Sequence, residues 1–256
     1  GKMMSKVVSE LVPEGLTPNR DSQQERKSSE MRNIVLDATI ECLATRGYAQ
    51  TTNQNICDIA GISRGAMLHH YPTRQELMAA VIDYAFYRHM TAFSTAIRSL
   101  SDQERMDRNM VIAIDWQLCL SREYKAYIEL NVIARTTPEL RDLFVPRARR
   151  HDKVWKDELL AVFPEWRGDA AKLNRTRHLI RSLLEGMLLR RDVVKDTSLE
   201  WAVLGLVADI SHQIRTGKLN FPVSEDLDTF KRKLPVARMP RRAVPSRGAR
   251  AKKSKV

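Results

Sequence analysis

The side chains best placed to do chemistry fall in one stretch, Thr51 to Leu77, which reads TTNQNICDIAGISRGAMLHHYPTRQEL. It offers hydroxyl and amide groups at Thr52, Asn53 and Ser63, guanidinium groups at Arg64 and Arg74, and adjacent imidazoles at His69 and His70. Arg64 stands at a helix start, where a planar guanidinium can grip guanine O6 and N7 bidentately, worth about 1–3 kcal/mol of discrimination. It can equally rest on a phosphate, and the sequence leaves both open. Adjacent histidines cannot share one helix face, and no acid or thiol stands at ligand spacing, so the pair is not read as a metal site. No glycine-rich phosphate loop, GxSxG elbow or HExxH pair occurs. No catalytic residue, metal or cofactor is therefore expected; the chemistry on offer is recognition.

The elements that must position these groups are short helices. Thr52 is a good N-cap for a helix carrying Ile56 and Ile59. Ala60 and Gly61 make a tight turn, and Ser63 caps the next helix, which ends near Tyr71-Pro72. Two short capped helices joined by a glycine turn form a helix-turn-helix, in which the first braces the nucleic-acid backbone and the start of the second enters the major groove. A helix over about 28–46 precedes them, with Ile34, Leu36, Ala38, Ile40 and Leu43 as apolar positions and Gly47 as its stop. A long helix follows Thr73 and reaches about Leu100. Ile56, Ile59, Ile62 and Met67 are expected in the core.

Over about residues 28–90 the sequence resembles the TetR (tetracycline repressor) family. The resemblance rests on Gly47-Tyr48, Thr52, Ile56-Cys57, Ala60-Gly61-Ile62-Ser63, Gly65, His70-Tyr71 and the run from Arg74 to Leu77. It implies an all-α fold: an N-terminal three-helix helix-turn-helix domain followed by a helical ligand-binding and dimerisation domain. It further implies a sequence-specific DNA-binding regulator of transcription, by default a repressor, that binds a roughly palindromic operator as a homodimer and is released by a small hydrophobic effector. By the same resemblance Thr52, Asn53 and Arg74 are backbone-positioning residues, and His69 and His70 lie at the DNA surface. Ser63, Arg64, Gly65 and Ala66 complete the expected contact set, Ala66 either touching a thymine methyl or packing in its helix. Two positions depart from the pattern. Leu68 replaces a tyrosine that commonly hydrogen-bonds a phosphate, and Cys57 replaces a small alanine, which a buried thiol can do without difficulty. An altered operator preference is expected.

Charge is distributed unevenly. The chain carries a net +12, yet the last 26 residues, from Lys231, hold eleven cations and no acid. The stretch from Ser28 to Leu77 has four arginines against five acids, so phosphate binding there must lean on capped helix N-termini and polar hydrogen bonds. The organisation expected is a flexible arm over 1–27, the helix-turn-helix domain over 28–75, a helical regulatory domain over 76–222 and a basic disordered tail over 223–256. The tail either adds non-specific, salt-sensitive DNA affinity or merely solubilises. No apolar run approaches the roughly 20 residues of a membrane span; the longest, Ala202 to Ala208, is far too short. With no secretory apolar segment, and Cys42, Cys57 and Cys119 widely spaced, a cytoplasmic protein with reduced thiols is expected.

In the second domain, helices are expected over about 105–121, 124–135, 138–162, 169–193 and 198–216, with a kink or break at Pro146. No strand pattern is found. The last two helices are apolar on two sides, so one side is expected to meet the chain's own core and the other a partner; Ile180, Leu184, Met187, Trp201, Leu204 and Ala208 are the expected dimer contacts. Phe86, Met90, Met110, Trp116 and Tyr127 are the candidates for an effector pocket.

Overall fold

In the computed structural model, residues 5–16, 22–223 and 227–232 are described. Helix starts are set by side-chain caps. Ser22, Thr52, Ser63, Thr73, Ser101, Asp107, Ser121, Asp169 and Asp196 each accept a backbone N–H from the first turn they precede. The elements are α1 (Lys6–Ser9), α2 (Gln23–Arg46), α3 (Asn53–Ala60), α4 (Arg64–His70), α5 (Arg74–Arg98) and α6 (Asp102–Met106). There follow α7 (Arg108–Cys119), α8 (Arg122–Ala134), α9 (Pro138–Val162), α10 (Ala170–Val194), α11 (Thr197–Arg215) and α12 (Asp228–Lys231). The fold is all-α, and no strand occurs among the described residues.

Three expectations are corrected. The first concerns the arm. Residues 5–16 pack against α5 and α9, with Val8 fully buried and Leu11 nearly so. Each such burial is worth about 1.5–3 kcal/mol, enough to seat a segment whose sequence has no sustained period. Ser5 Oγ donates to the buried carboxylate of Glu158, which also accepts from Ser94 Oγ at 2.7 Å and Arg98 Nη2 at 3.1 Å. Second, the helix expected over 105–121 is interrupted at Asp107, whose backbone is extended and whose carboxylate caps the N–H groups of Asn109 and Met110. Third, of the kink or break expected at Pro146, the break does not occur, and α9 runs through the proline. Proline costs a helix interior about 3 kcal/mol, but Leu140, Phe144, Val154 and Trp155 bury one face on both sides of it.

The core of the helical half is aromatic. Phe86 of α5 stacks on His151 of α9 with ring centroids 4.4 Å apart, and Tyr127 of α8 closes on Phe86 at 5.4 Å. Residues Gly1–Leu219 make one compact unit. Asn220–Val256 make a second, in which Lys231 Nζ stands 3.5 Å from Asp228 within α12. Most of the cationic tail, from residue 233 on, lies outside the described residues, as do residues 1–4 and 17–21 of the expected arm.

Candidate nucleic-acid interface

The turn between α3 and α4 is made by Gly61 in the left-handed region, φ 67° and ψ 34°. Its N–H donates to the Cys57 carbonyl at 2.8 Å, and the Ile62 N–H reaches the same oxygen at 3.2 Å. A side chain with a Cβ would be strained there. Ile56, Cys57 and Met67 are buried beneath the turn, with Cys57 Sγ 3.6 Å from Met67 Sδ, while Ile59 and Ile62, expected in the core, are only partly covered. Burial, then the neighbouring Asp58, pushes the Cys57 thiol up, so it acts as a small apolar filler.

What this leaves outside is the N-terminal surface of α4. Ser63, Arg64, Gly65 and His69 are exposed, and Thr52 is exposed at the start of α3. Asn53, Ala66, Leu68 and His70 are partly covered. Thr52 Oγ1 and Ser63 Oγ are engaged as caps, accepting from Asn55 at 3.2 Å and Ala66 at 3.1 Å. A phosphate at either start would be received by the remaining N–H groups of the first turn. His70 is held below the ordinary imidazole range, first by burial and then by the positive Arg32 and His69 nearby. It is therefore neutral at neutral pH and offers a hydrogen bond rather than a charge.

Arg74, expected to position the DNA backbone, has partners within the chain. Its Nη1 donates to the Thr51 carbonyl at 2.6 Å and its guanidinium carbon lies 4.7 Å from the centre of the Tyr48 ring. The group pins the turn between α2 and α3, and so acts on the reading surface by shaping it. The capping box of Thr73 and Glu76 fixes the start of α5 beside it.

The head is wired to the helical half. Glu129 of α8 accepts the Tyr48 N–H at 2.9 Å, and a Cβ at Gly47 would come within 3.2 Å of the same oxygen. Arg122 of α8 spans Asp37 and Glu41 of α2 at 3.3 Å each, and Tyr84 of α5 donates to Asp37. Sequence reading missed Glu129 and Arg122, because nothing in their own spacing points to a partner some eighty positions away.

The expected effector and dimer residues are also redistributed. Phe86, Met90, Trp116 and Tyr127 are buried in close-packed core, and Met110 is 36% exposed at the surface. None of the five lines the apolar cavity of this half, which lies farther along, between α7, α9, α10 and α11. An aromatic at helical spacing signals burial, not empty space beside it. Among the expected dimer contacts, Leu184, Leu204 and Ala208 are buried within the chain, and Ile180 and Ala208 line that cavity. Met187 is partly covered and Trp201 is 53% exposed. The large apolar side chains that α10 and α11 leave exposed are instead Leu183, Leu189, Val193, Val194, Leu199, Trp201 and Leu206.

Residues 35–81 match the sequence profile of the bacterial regulatory proteins of the tetR family. The chain is 28% identical over 197 residues to the HTH-type transcriptional regulator CymR of Pseudomonas putida, covering 73% of this chain and 96% of that protein. The fold is similar to that of a TetR-family regulator from Rhodococcus sp., with a TM-score of 0.55 at 17% identity over 73% of this chain and 99% of the other. It is also similar to a TetR regulator from Haloarcula marismortui, with a TM-score of 0.54 at 20% identity over 74% and 98%.

Proposed function

This chain belongs to the tetR family of bacterial regulatory proteins, and we propose that, as a DNA-binding regulator of transcription, it acts as a repressor released from its operator by a small molecule. The observation that carries this reading is the exposed start of α4 at Ser63, Arg64 and Gly65, set on a buried Ile56, Cys57 and Met67 base across the Gly61 turn. Such a helix presents its first turn to base edges in the major groove while the caps and neighbouring hydroxyls hold phosphates. Thr52, Asn53, Ala66, His69 and His70 complete the proposed contact surface, with Arg74 supporting it from behind.

Arg64 is assigned base reading. Arg64→Ala is expected to lower affinity for the operator by about 1–3 kcal/mol and to relax preference at one base position. Titration against an operator and against scrambled duplex at several salt concentrations checks this. Equal weakening on both duplexes would reduce Arg64 to a phosphate contact.

A homodimer is proposed through α10 and α11, since these two helices leave several large apolar side chains exposed and such side chains are ordinarily covered where they cluster. Two-fold pairing would set two recognition helices about one DNA turn apart and so call for a roughly palindromic operator. Leu206→Glu places a charge among these side chains; sedimentation is expected to give the mass of one chain where the parent gives two. A parent that sediments as one chain at micromolar concentration would remove the dimer from the proposal.

Release would follow from a population shift: an effector bound in the helical half favours a conformer in which the two heads mismatch the operator. The connection is α5, whose Leu77 lies at the head and whose Phe93 lines the cavity, together with the Arg122 and Glu129 contacts from α8. A cytoplasmic site of action accords with this role, and among the described residues no helix is long and apolar enough to cross a membrane.

A further inference from the structure

The cavity of the helical half has a volume of about 120 Å³. An engineered apolar cavity of about 150 Å³ holds a benzene, so the space suits a body of about one ring. Phe93, Trp155, Phe163 and Trp166 supply aromatic walls, and Met106 at the end of α6 forms part of the rim. What sets this wall apart from dry core is its charged residues, two of which are buried and keep an unpaired polar atom.

Arg177 is 4% exposed and Asp115 is 8% exposed, and both line the cavity. Arg177 Nη2 is held by Asp152 at 2.8 Å and by Asn174 and His178 Nε2 at 3.2 Å each, but its Nε is a buried donor with no acceptor among the described residues. Asp115 Oδ2 receives Arg181 Nη2, while Oδ1 is a buried acceptor with no donor among the described residues. Leaving such a group unpaired is costly, and most buried polar atoms are paired. The two needs are complementary rather than alike: one atom must be given an acceptor and the other a donor.

The charge around them is not neutral in kind. Arg105, Arg108 and Arg177 are shared with Asp102, Asp209 and Asp152 outside the lining, and Arg181 is matched by Asp115. Arg215 meets His212 Nδ1 at 3.2 Å and has no carboxylate partner among the described residues. Glu165, the other acid of the lining, is exposed at the edge.

We infer that the cavity is a binding site for a small aromatic hydroxy acid. Its carboxylate accepts from Arg177 Nε under the field of Arg215, its hydroxyl donates to Asp115 Oδ1, and its ring lies among Phe93, Trp155 and Trp166. This names the ligand class of the effector proposed above and rests on that reading only for the consequence of binding, not for binding itself.

The test uses the full chain without DNA, with tryptophan fluorescence or calorimetry as readout, since Trp155 and Trp166 stand in the wall. The probes are 4-hydroxybenzoate, 4-hydroxyphenylacetate, phenylacetate, 4-hydroxyphenylacetamide and tyramine. Binding is expected for the hydroxy acids, about tenfold weaker for phenylacetate, which leaves Asp115 Oδ1 unmatched, and about tenfold weaker for the amide, whose carbonyl accepts from Arg177 Nε without bringing a negative charge to the guanidinium, and absent for the cationic tyramine. Arg177→Gln, checked for retained helicity, is expected to bring acid and amide within about threefold of each other. If neither hydroxy acid binds at millimolar concentration, or if the amide or tyramine binds as tightly as the acid, the site is not what we infer; the wild-type series decides this even if the variant fails to fold. Operator release is then measured with the same probes. An acid that binds with the expected preference but leaves the operator complex intact supports the site and removes the effector reading. Release that is equal in Arg177→Gln and the parent keeps the effector reading and removes the site.

Discussion

Replacing Arg181 by leucine is expected to lower the free energy of unfolding by about 3–5 kcal/mol, the cost of stranding one member of a buried ion pair. Arg181 is 7% exposed and joins four groups from three helices. It pairs with Asp115 and donates to Cys119 Sγ at 3.4 Å and Tyr124 Oη at 3.3 Å, and its guanidinium carbon lies 4.5 Å from the centre of the Trp155 ring. Tyr124 Oη in turn donates to Glu185 at 2.6 Å. Burial pushes the Cys119 thiol up to about 12 against the opposing field of Arg181, so cysteine adds an uncharged contact and, among the described residues, Asp115 is the carboxylate paired with the guanidinium. In Arg181→Leu that carboxylate stays buried with nothing to neutralise it. Arg181→Leu combined with Asp115→Leu removes both charges, and replacing a whole buried pair by apolar groups is often neutral or better. The double variant is therefore expected to recover more than half of the loss. Urea unfolding of the three proteins measures this. A loss under about 1 kcal/mol in the single variant, or no recovery in the double, would mean that water or movement already solvates the pair. Since a typical domain is stable by only about 5–15 kcal/mol, the single variant is also expected to be sensitive to mild heating.

The helix-turn-helix was legible because its signals are local. Capping hydroxyls at Thr52 and Ser63, a left-handed Gly61 and a following Thr73 with Glu76 are each decided within four residues. The boundaries of α9 and α10 were legible for the same reason, with Pro138 and Asp169 at their starts. What failed depends on contacts distant in sequence. The intrachain partners of Arg74 are not legible from its neighbours, since only the fold brings the Tyr48 ring and the Thr51 carbonyl within its reach. Residues 5–16 looked like solvent-facing chain because two buried side chains, Val8 and Leu11, make no period. For α10 and α11, apolar residues on two sides told that both must be covered, but not which is inward. Leu204 and Trp201 lie three positions apart, one buried and one bare.

Acid is expected to destabilise the folded chain through His89. The imidazole lies within α5, 2% exposed, with the Tyr124 ring of α8 at 4.5 Å and the Trp155 ring of α9 at 5.3 Å between centroids. Neither ring nitrogen has a hydrogen-bond partner among the described residues. Burial first, and then the positive Arg181 of α10, lower its pKa to about 3. An exposed imidazole titrates near 6.5. Between those values the unfolded chain binds a proton that the folded chain excludes, so the contribution is whole above about pH 6.5 and is lost progressively as pH falls toward 3. Two units below the unfolded value this amounts to about 3 kcal/mol, at 1.36 kcal/mol per unit. The measurement is urea unfolding at about pH 7.5 and about pH 4.5 for the parent and for His89→Phe, which keeps a flat ring among Phe86, Tyr124 and Trp155 and cannot titrate. His151 is likewise held below its ordinary value by burial, although Asp83 Oδ1, 2.7 Å from its Nε2, works the other way. Its effect is present in both proteins and cancels in the comparison. The parent should therefore lose about 3 kcal/mol more than His89→Phe over this interval. Parallel losses would mean that His89 finds water and takes up its proton in the folded state, and that the aromatic core between α5, α8 and α9 is wetter than its burial implies.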